Sequence, residues 1–360
     1  MLAEACFVWN HALALQKRYY RLYGGYISLY TMQKHHAKRI KRNLLCAQTI
    51  QEILERLDAS YKRFFNHQAK RPPKFRKEKD FSSFIFKQGG YSLNGNVLTI
   101  NRIKKIFKFS LSRSYEGRIK RVAIKRNQLG EYFMCLSLEK EVDKYGKSHN
   151  GASVGIDFGL KTYLTLSDST RYDNPQFMKE NLTELRRRSR NLLKCKKGSN
   201  NRERKRKELD RLWNDICNKR EDFQWKLAHE LCRKYDNIFI EDLNLADMSL
   251  GRKANRKLKD QAHAEFITKL LYIATKYGVV VHKIDRYYPS SKTCTCGYVN
   301  KELKLTDRTW TCPHCGATHD RDLLAANNIL RRGIYELESN SKTKKQSADG
   351  QLRNHPTISN

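Results

Sequence analysis

Cys294-Thr295-Cys296-Gly297 and Cys312-Pro313-His314-Cys315-Gly316, followed by His319-Asp320-Arg321-Asp322 and an apolar pattern of helical period, decide how this chain is read. Two residues between Cys312 and Cys315 let both thiolates reach one tetrahedral zinc ion at about 2.3 Å. The first pair is tighter, with a single residue between Cys294 and Cys296. Coordination of one structural Zn²⁺ by Cys294, Cys296, Cys312 and Cys315 is the favoured reading. Three cysteines with His314 or His319, or a site without metal, stay open beside it. Four protein ligands leave no open position for chemistry, so the site is structural. A metal knuckle running into an acidic helix start describes a ribbon inserted into a catalytic domain, not a free-standing finger.

Composition sets the class around that ribbon. The 360 residues carry 72 Lys and Arg against 37 Asp and Glu, a formal net charge of +35, spread too evenly to be one basic tail. Such a balance points to a polyanionic partner. With 39% hydrophobic and 11% aromatic residues there is enough apolar material for two or three packed cores, which argues against wholesale disorder. No apolar run approaches the ~20 residues that span a bilayer, and the amino terminus has no export signal. The expectation is a cytoplasmic, nucleoid-associated protein without a membrane partner, in which ten cysteines serve better as metal ligands than as disulfides.

Working outward, the hydrophobic period changes twice. Phe7, Trp9, Leu13 and Leu15 recur at near-helical spacing from the first residues, and a second helical stretch runs from about Leu29 to His67, ended by Arg71-Pro72-Pro73. From Phe81 to Glu139 short period-two runs alternate with Gly89-Gly90, Asn94-Gly95, Glu116-Gly117 and Leu129-Gly130, which reads as a small antiparallel barrel or sandwich. Polar residues from Lys140 to Gly151 mark a boundary. Beyond it the pattern is mixed α/β: a buried strand at Ala152–Asp157, its hairpin partner at Tyr163–Leu166, and a long charged helical segment broken near Gly198. A second buried strand follows at Asn237–Glu241, then a helix over Gln261–Tyr277, a strand at Val279–Val281, and a last helix from Asp322.

Asp157, Glu241 and Asp322 each stand at the end of an apolar strand or the start of a helix, where side chains project from rigid elements into a shared cleft. Two Mg²⁺ ions about 3.5–4 Å apart can hold a phosphodiester, an attacking water and a leaving oxygen together. Hard cations of this kind take oxygen ligands, so carboxylates are the right residue type.

Gly155-Ile156-Asp157-Phe158-Gly159-Leu160-Lys161, Ile240-Glu241-Asp242-Leu243-Asn244 and Asp320-Arg321-Asp322-Leu323, with Ala325-Ala326 and Asn328-Ile329, resemble the three split RuvC motifs of the TnpB (OrfB) family of insertion sequences. Tyr288-Pro289-Ser290-Ser291-Lys292-Thr293-Cys294 resembles the lead into that family's zinc ribbon. The resemblance implies an RNA-guided DNA endonuclease of a transposable element, related to type V CRISPR effectors and often called a transposase. It implies an RNase H-like nuclease domain with Asp157, Glu241 and Asp322 as catalytic Mg²⁺ ligands and Asp320 as a neighbouring acid. Guide RNA and double-stranded DNA are the partners it implies, with pairing reading the target and protein reading a short flanking motif. Three departures stand out: Leu324 where the family carries Asn, the shortened first knuckle, and no strand ahead of the opening helix. A cleavage-deficient RNA-guided DNA binder and a strand-transfer transposase are the alternatives.

On this resemblance the fold is α+β and multidomain. Residues 1–78 form a helical recognition region, and 79–148 a wedge-like β-barrel lacking its first strand. Residues 149–291 form the RuvC-like domain, 292–318 the ribbon, 319–335 the last motif and helix, and 336–360 a disordered tail. Arg186, Arg187, Arg188, Arg204, Lys205 and Arg206 make a basic run suited to phosphates, because counterion release drives such binding. Arg286, Ser290, Ser291 and Lys292 flank the ribbon entry as expected contacts to target strand or guide, Arg308 is expected to reach a scissile phosphate, and Tyr19, Tyr20, Tyr23, Tyr26 and Tyr30 offer rings for stacking.

Overall fold

The amino-terminal apolar stripe becomes a helix, α1 (Leu2–Tyr23), in the computed structural model, which describes residues 1–39, 44–87, 89–112, 114–140, 150–242, 260–304 and 307–352. The chain divides into two compact units, Met1–Glu141 and Val142–Asn360. The polar stretch at 141–149, Leu243-Asn244 and residues 353–360 lie outside the described residues.

In the first unit, Ala5, Trp9, Ala12 and Leu13 of α1 are buried, while Phe7 points outward. The helical stretch expected from Leu29 to His67 is two helices, α2 (Leu29–Arg39) and α3 (Ala47–Phe65). Ile53, Leu54, Leu57 and Tyr61 form the buried stripe of α3. The period-two region gives β1 (Ser83–Phe86), β2 (Tyr91–Asn94), β3 (Val97–Ile100), β4 (Lys105–Lys108), β5 (Arg118–Arg126) and β6 (Tyr132–Glu139). Among the described residues they form two three-stranded antiparallel sheets, β1-β5-β6 and β2-β3-β4, rather than one closed barrel. Phe84, Phe86, Leu98, Ile100 and Val122 join the helix stripes in one hydrophobic core. Tyr20, Tyr23 and Tyr30 are exposed, whereas the Tyr26 hydroxyl donates to Asp58 at 3.0 Å.

The second unit is built on a five-stranded sheet. Its strands are β7 (Ser153–Phe158), β8 (Thr162–Leu166), β9 (Arg171–Asp173), β10 (Asn237–Glu241) and β11 (Val280–Ile284), in the order β11-β10-β7-β8-β9. β7 pairs parallel with β10 and β10 with β11, while β8 and β9 continue antiparallel from β7. Between β9 and β10 run α4 (Phe177–Glu180), α5 (Leu182–Lys194) and the long α6 (Asn200–Lys234); α7 (His263–Tyr277) precedes β11. Leu227 and Leu231 of α6 and Phe266 and Leu270 of α7 pack on Val154, Ile156, Ile238 and Ile240.

The opposite face carries α8 (Arg321–Leu352), through Ile329 and Leu330 against Phe239 and Ile284. This contact is close enough to require glycine twice. A Cβ on Gly155 of β7 would lie 2.1 Å from the Ala326 carbonyl oxygen, and one on Gly333 of α8 would lie 2.0 Å from the Phe239 ring. Helix α8 continues to Leu352, past Ile334, where the composition predicts an unstructured tail. No helix among the described residues is long and apolar enough to cross a membrane.

Candidate functional site

Strand alternation aims the first two acids. Gly155 and Phe239 face α8, so Asp157 and Glu241, two residues further along neighbouring parallel strands, face it too. Asp322 sits in the first turn of α8. The three carboxylates therefore meet at the carboxyl ends of β7 and β10. Burial pushes the Asp157 carboxyl well above its ordinary range; the charges of Glu241 and Asp322 add to this, and those of Arg321 and Arg308 oppose it. Burial also raises Glu241, opposed by a hydrogen bond that the Ser290 hydroxyl donates to its Oε1.

The adjacent acids are engaged elsewhere. Asp320 caps α8, its Oδ1 accepting the Leu323 N–H at 3.0 Å, and its Oδ2 accepts from Arg171 at 2.9 Å. Those contacts outweigh its burial and hold its carboxyl below the ordinary range. Arg286 and Lys283 do the same for Asp242, which accepts from both. The turn after Asp157 is fixed by Gln261, whose Nε2 donates to the Gly159 carbonyl at 2.7 Å.

The cysteine segment folds as a small ribbon. β12 (Thr309–Thr311) and β13 (Thr318–Asp320) pair antiparallel, drawing His319 and Asp320 into the ribbon sheet. The sulfur atoms of Cys294, Cys296, Cys312 and Cys315 lie within 4.8 Å of one another. Cys294 and Cys315 are 3.5 Å apart and Cys296 and Cys312 3.8 Å, against an edge of about 3.8 Å for a zinc–thiolate tetrahedron. The short first knuckle thus reaches, and the four cysteines could hold a zinc ion. His319 Nε2 is 3.0 Å from Cys294 Sγ, close enough to donate to the thiolate. Burial raises the Cys294 thiol, but hydrogen bonds from the Cys296 N–H and His319 overturn this and lower it to about 5. Among the described residues this is the only His, Cys, Asp or Glu group of three or more drawn that tightly together; the carboxylate trio is more open.

Leu324 is buried in the ribbon core with Cys294, Leu303, Trp310 and Cys312. Its side chain packs the ribbon onto α8 and does not face the carboxylates with a polar group.

The basic run is less bare than its sequence implies. Arg187 and Arg188 on α5 both pair with Glu184 at 2.6 Å, and Arg188 also donates to the Glu208 carbonyl. On α6, Arg206 pairs with Glu203 and Asp210, Lys205 with Glu208, and Arg204 donates to Asn201. Arg186 is exposed. Arg308 reaches Asp322, and Arg286 is held by Asp242. Ser291 and Lys292 lie in a 3₁₀ turn, Ser290–Lys292, ahead of the ribbon. Ser290, one of the polar residues at the ribbon entry, donates to Glu241, 49 positions away, a contact that no local pattern in the sequence encodes.

Two family models match the chain: the OrfB_IS605 model, described as "Probable transposase", over residues 135–252, and the "Cas12f1-like, TNB domain" over 263–329. A protein of Streptomyces pristinaespiralis named "Putative RNA-guided DNA endonuclease" is 32% identical over 288 residues, 79% of this chain and 71% of that one. The protein of Escherichia coli (strain K12) named "Putative RNA-guided DNA endonuclease InsQ" is 29% identical over 354 residues, 92% of this chain and 87% of that one. Among solved structures, a chain from a cryo-EM Cas12f1-sgRNA-target DNA complex superposes with a TM-score of 0.60 at 16% identity, covering 91% of this chain and 80% of its own, a likeness of fold. On these matches the chain belongs to the TnpB (OrfB) family.

Proposed function

We propose that this chain is an RNA-guided DNA endonuclease of a transposable element, hydrolysing phosphodiesters at an RNase H-like, RuvC-type centre formed by Asp157, Glu241 and Asp322. The observation that carries this reading is the convergence of these acids. In a chain of net charge +35, Asp157 is half-buried beside the charges of Glu241 and Asp322 rather than neutralised in a simple ion pair. A carboxylate that faces like charges in this way is costly in a folded chain and suits cation binding.

The donor set fits Mg²⁺: three hard carboxylates, more open than the thiolate cluster, on two strand ends and a helix start. Two such ions, when bound, would activate water and neutralise the phosphate. The chain's own residues set the stage for this. Adjacent parallel strands fix the spacing of Asp157 and Glu241, and the Asp320 cap fixes where the first turn of α8, with Asp322, begins. Arg308, which pairs with Asp322, would move onto a phosphate oxygen when the substrate enters. The helices and sheets of the first unit would grip the guide–target duplex, and the exposed Arg186 and neighbouring cations of α5 and α6 its backbone. The four-cysteine ribbon would carry a structural zinc.

Purified protein, its encoded guide RNA and a matching DNA in Mg²⁺ test the reading. Cleavage is expected, and Asp157→Ala should abolish it while leaving DNA binding intact. A parent that binds guide and target without cutting, or an Asp157→Ala protein that cuts like the parent, would overturn it.

A further inference from the structure

The turn before the ribbon is built around the second carboxylate. Ser290, buried, opens the 3₁₀ turn Ser290–Lys292 and donates its hydroxyl to Glu241 Oε1. The backbone of that turn is gripped from behind by Asn328 of α8, also buried, whose Nδ2 donates to the Ser290 carbonyl at 2.8 Å and the Thr293 carbonyl at 2.6 Å. Both partners are carbonyl oxygens, so the amide nitrogen, with its two protons, must be the atom that faces them. Asn328 lies six residues beyond Asp322 on the same helix.

We infer that Ser290 and Asn328 are positioning residues that fix the Glu241 carboxylate for cation binding and tie its orientation to the helix that carries Asp322. This rests on the nuclease reading above. The chemistry of the contact distinguishes it from an ordinary ion pair. Asp242, Asp320 and Asp322 are each met by a guanidinium, which offsets their charge. Glu241 is met by a neutral hydroxyl, which orients one oxygen and leaves the full negative charge for a cation. Partners of ligating carboxylates commonly contribute 10- to 100-fold to metal affinity. The clamp is also specific to backbone position: Asn328 touches two carbonyls of the turn, so a shift of α8 would move Ser290 and Asp322 together.

The test uses the full, zinc-loaded chain with guide RNA and target DNA, and Mn²⁺ as the probe, followed by electron paramagnetic resonance. Ser290→Ala should raise the half-saturating Mn²⁺ concentration about 10-fold or more. Target affinity should stay at the parent's value, and cleavage should recover as Mg²⁺ is raised. Ser290→Thr, which keeps the hydroxyl, should restore most of the Mn²⁺ affinity. Asn328→Asp, which turns an oxygen toward both carbonyls, should act in the same direction as Ser290→Ala. If Ser290→Ala binds Mn²⁺ within twofold of the parent while Asp157→Ala has lost it, the positioning role is wrong and the nuclease reading stands. If Asp157→Ala itself keeps the parent's Mn²⁺ affinity and cleavage, the nuclease reading is what fails.

Discussion

Arg308 Nη1 lies 3.2 Å from Oδ1 and 3.4 Å from Oδ2 of Asp322, so the ribbon places a guanidinium on the helix-borne acid of the carboxylate trio. The same charge opposes the upward shift of Asp157. Arg308 thus acts as a resident counter-ion whose value depends on what else occupies the cleft. Arg308→Gln should lower the thermal stability of the protein in a chelator, by about 1 kcal/mol or less because the guanidinium is half exposed. The deficit should shrink when Mg²⁺ is added. Differential scanning fluorimetry with and without Mg²⁺ checks this; an equal deficit in both conditions would show that Arg308 does not share its role with the cation.

Leu324 replaces the Asn that the family resemblance places there, and it is 5% exposed among Cys294, Leu303, Trp310 and Cys312. Restoring the Asn would bury an amide against apolar and sulfur neighbours. Leu324→Asn should therefore destabilise the chain by roughly 2–4 kcal/mol, from lost packing and an unmatched polar group. Cleavage per folded molecule should not rise. Denaturant unfolding together with an active-site titration separates the two effects.

The strands that carry acids were legible because each is a continuous apolar run ending in a carboxylate, the signature of a strand covered on both faces. Val154 and Ile156 face α6 and α7, Gly155 faces α8, and the same holds for Ile238, Phe239 and Ile240. β9 was not legible, since Arg171-Tyr172-Asp173 is a three-residue edge strand with no buried side chain. The carboxylate trio could be named residue by residue, because each acid is local to its own element. Ser290 and Asn328 stand inside quoted motifs and Arg308 beside one, but the contacts they make in the fold run across 14 to 49 positions, which no local pattern encodes. The cationic run is less bare in space than in sequence. Glu184, Glu208 and Asp210 lie just outside it in sequence but within one helical turn or one neighbouring helix in space.

The ribbon core is five buried residues, two of them cysteines, too few to hold a fold without a cross-link or metal. Cys312→Ser should reduce bound zinc from about one per chain to nearly none, because the buried thiolate is one of four ligands. The loosened ribbon should become protease-sensitive between Lys292 and Arg308 while the five-stranded sheet stays protected. Metal analysis and limited trypsin digestion read the two outcomes; full zinc content in Cys312→Ser would exclude the four-cysteine site.

His263 stands at the start of α7 against Phe158 and Tyr163, with ring centroids 5.0 and 5.1 Å away and its Nε2 buried without a hydrogen-bond partner among the described residues. Burial lowers its pKa from 6.5 to about 4. The folded chain therefore keeps this imidazole neutral where the unfolded chain would protonate it. Its contribution is complete above pH 6.5 and is lost progressively as the pH falls toward 4, because only the unfolded state gains the proton in that window. Between pH 7 and pH 5 the loss should be about 2 kcal/mol. His263→Phe keeps an aromatic ring among aromatic neighbours and removes the titration. Urea unfolding of parent and variant at both pH values should show the parent losing that much more stability than the variant. Equal losses would mean that His263 is protonated in the folded chain.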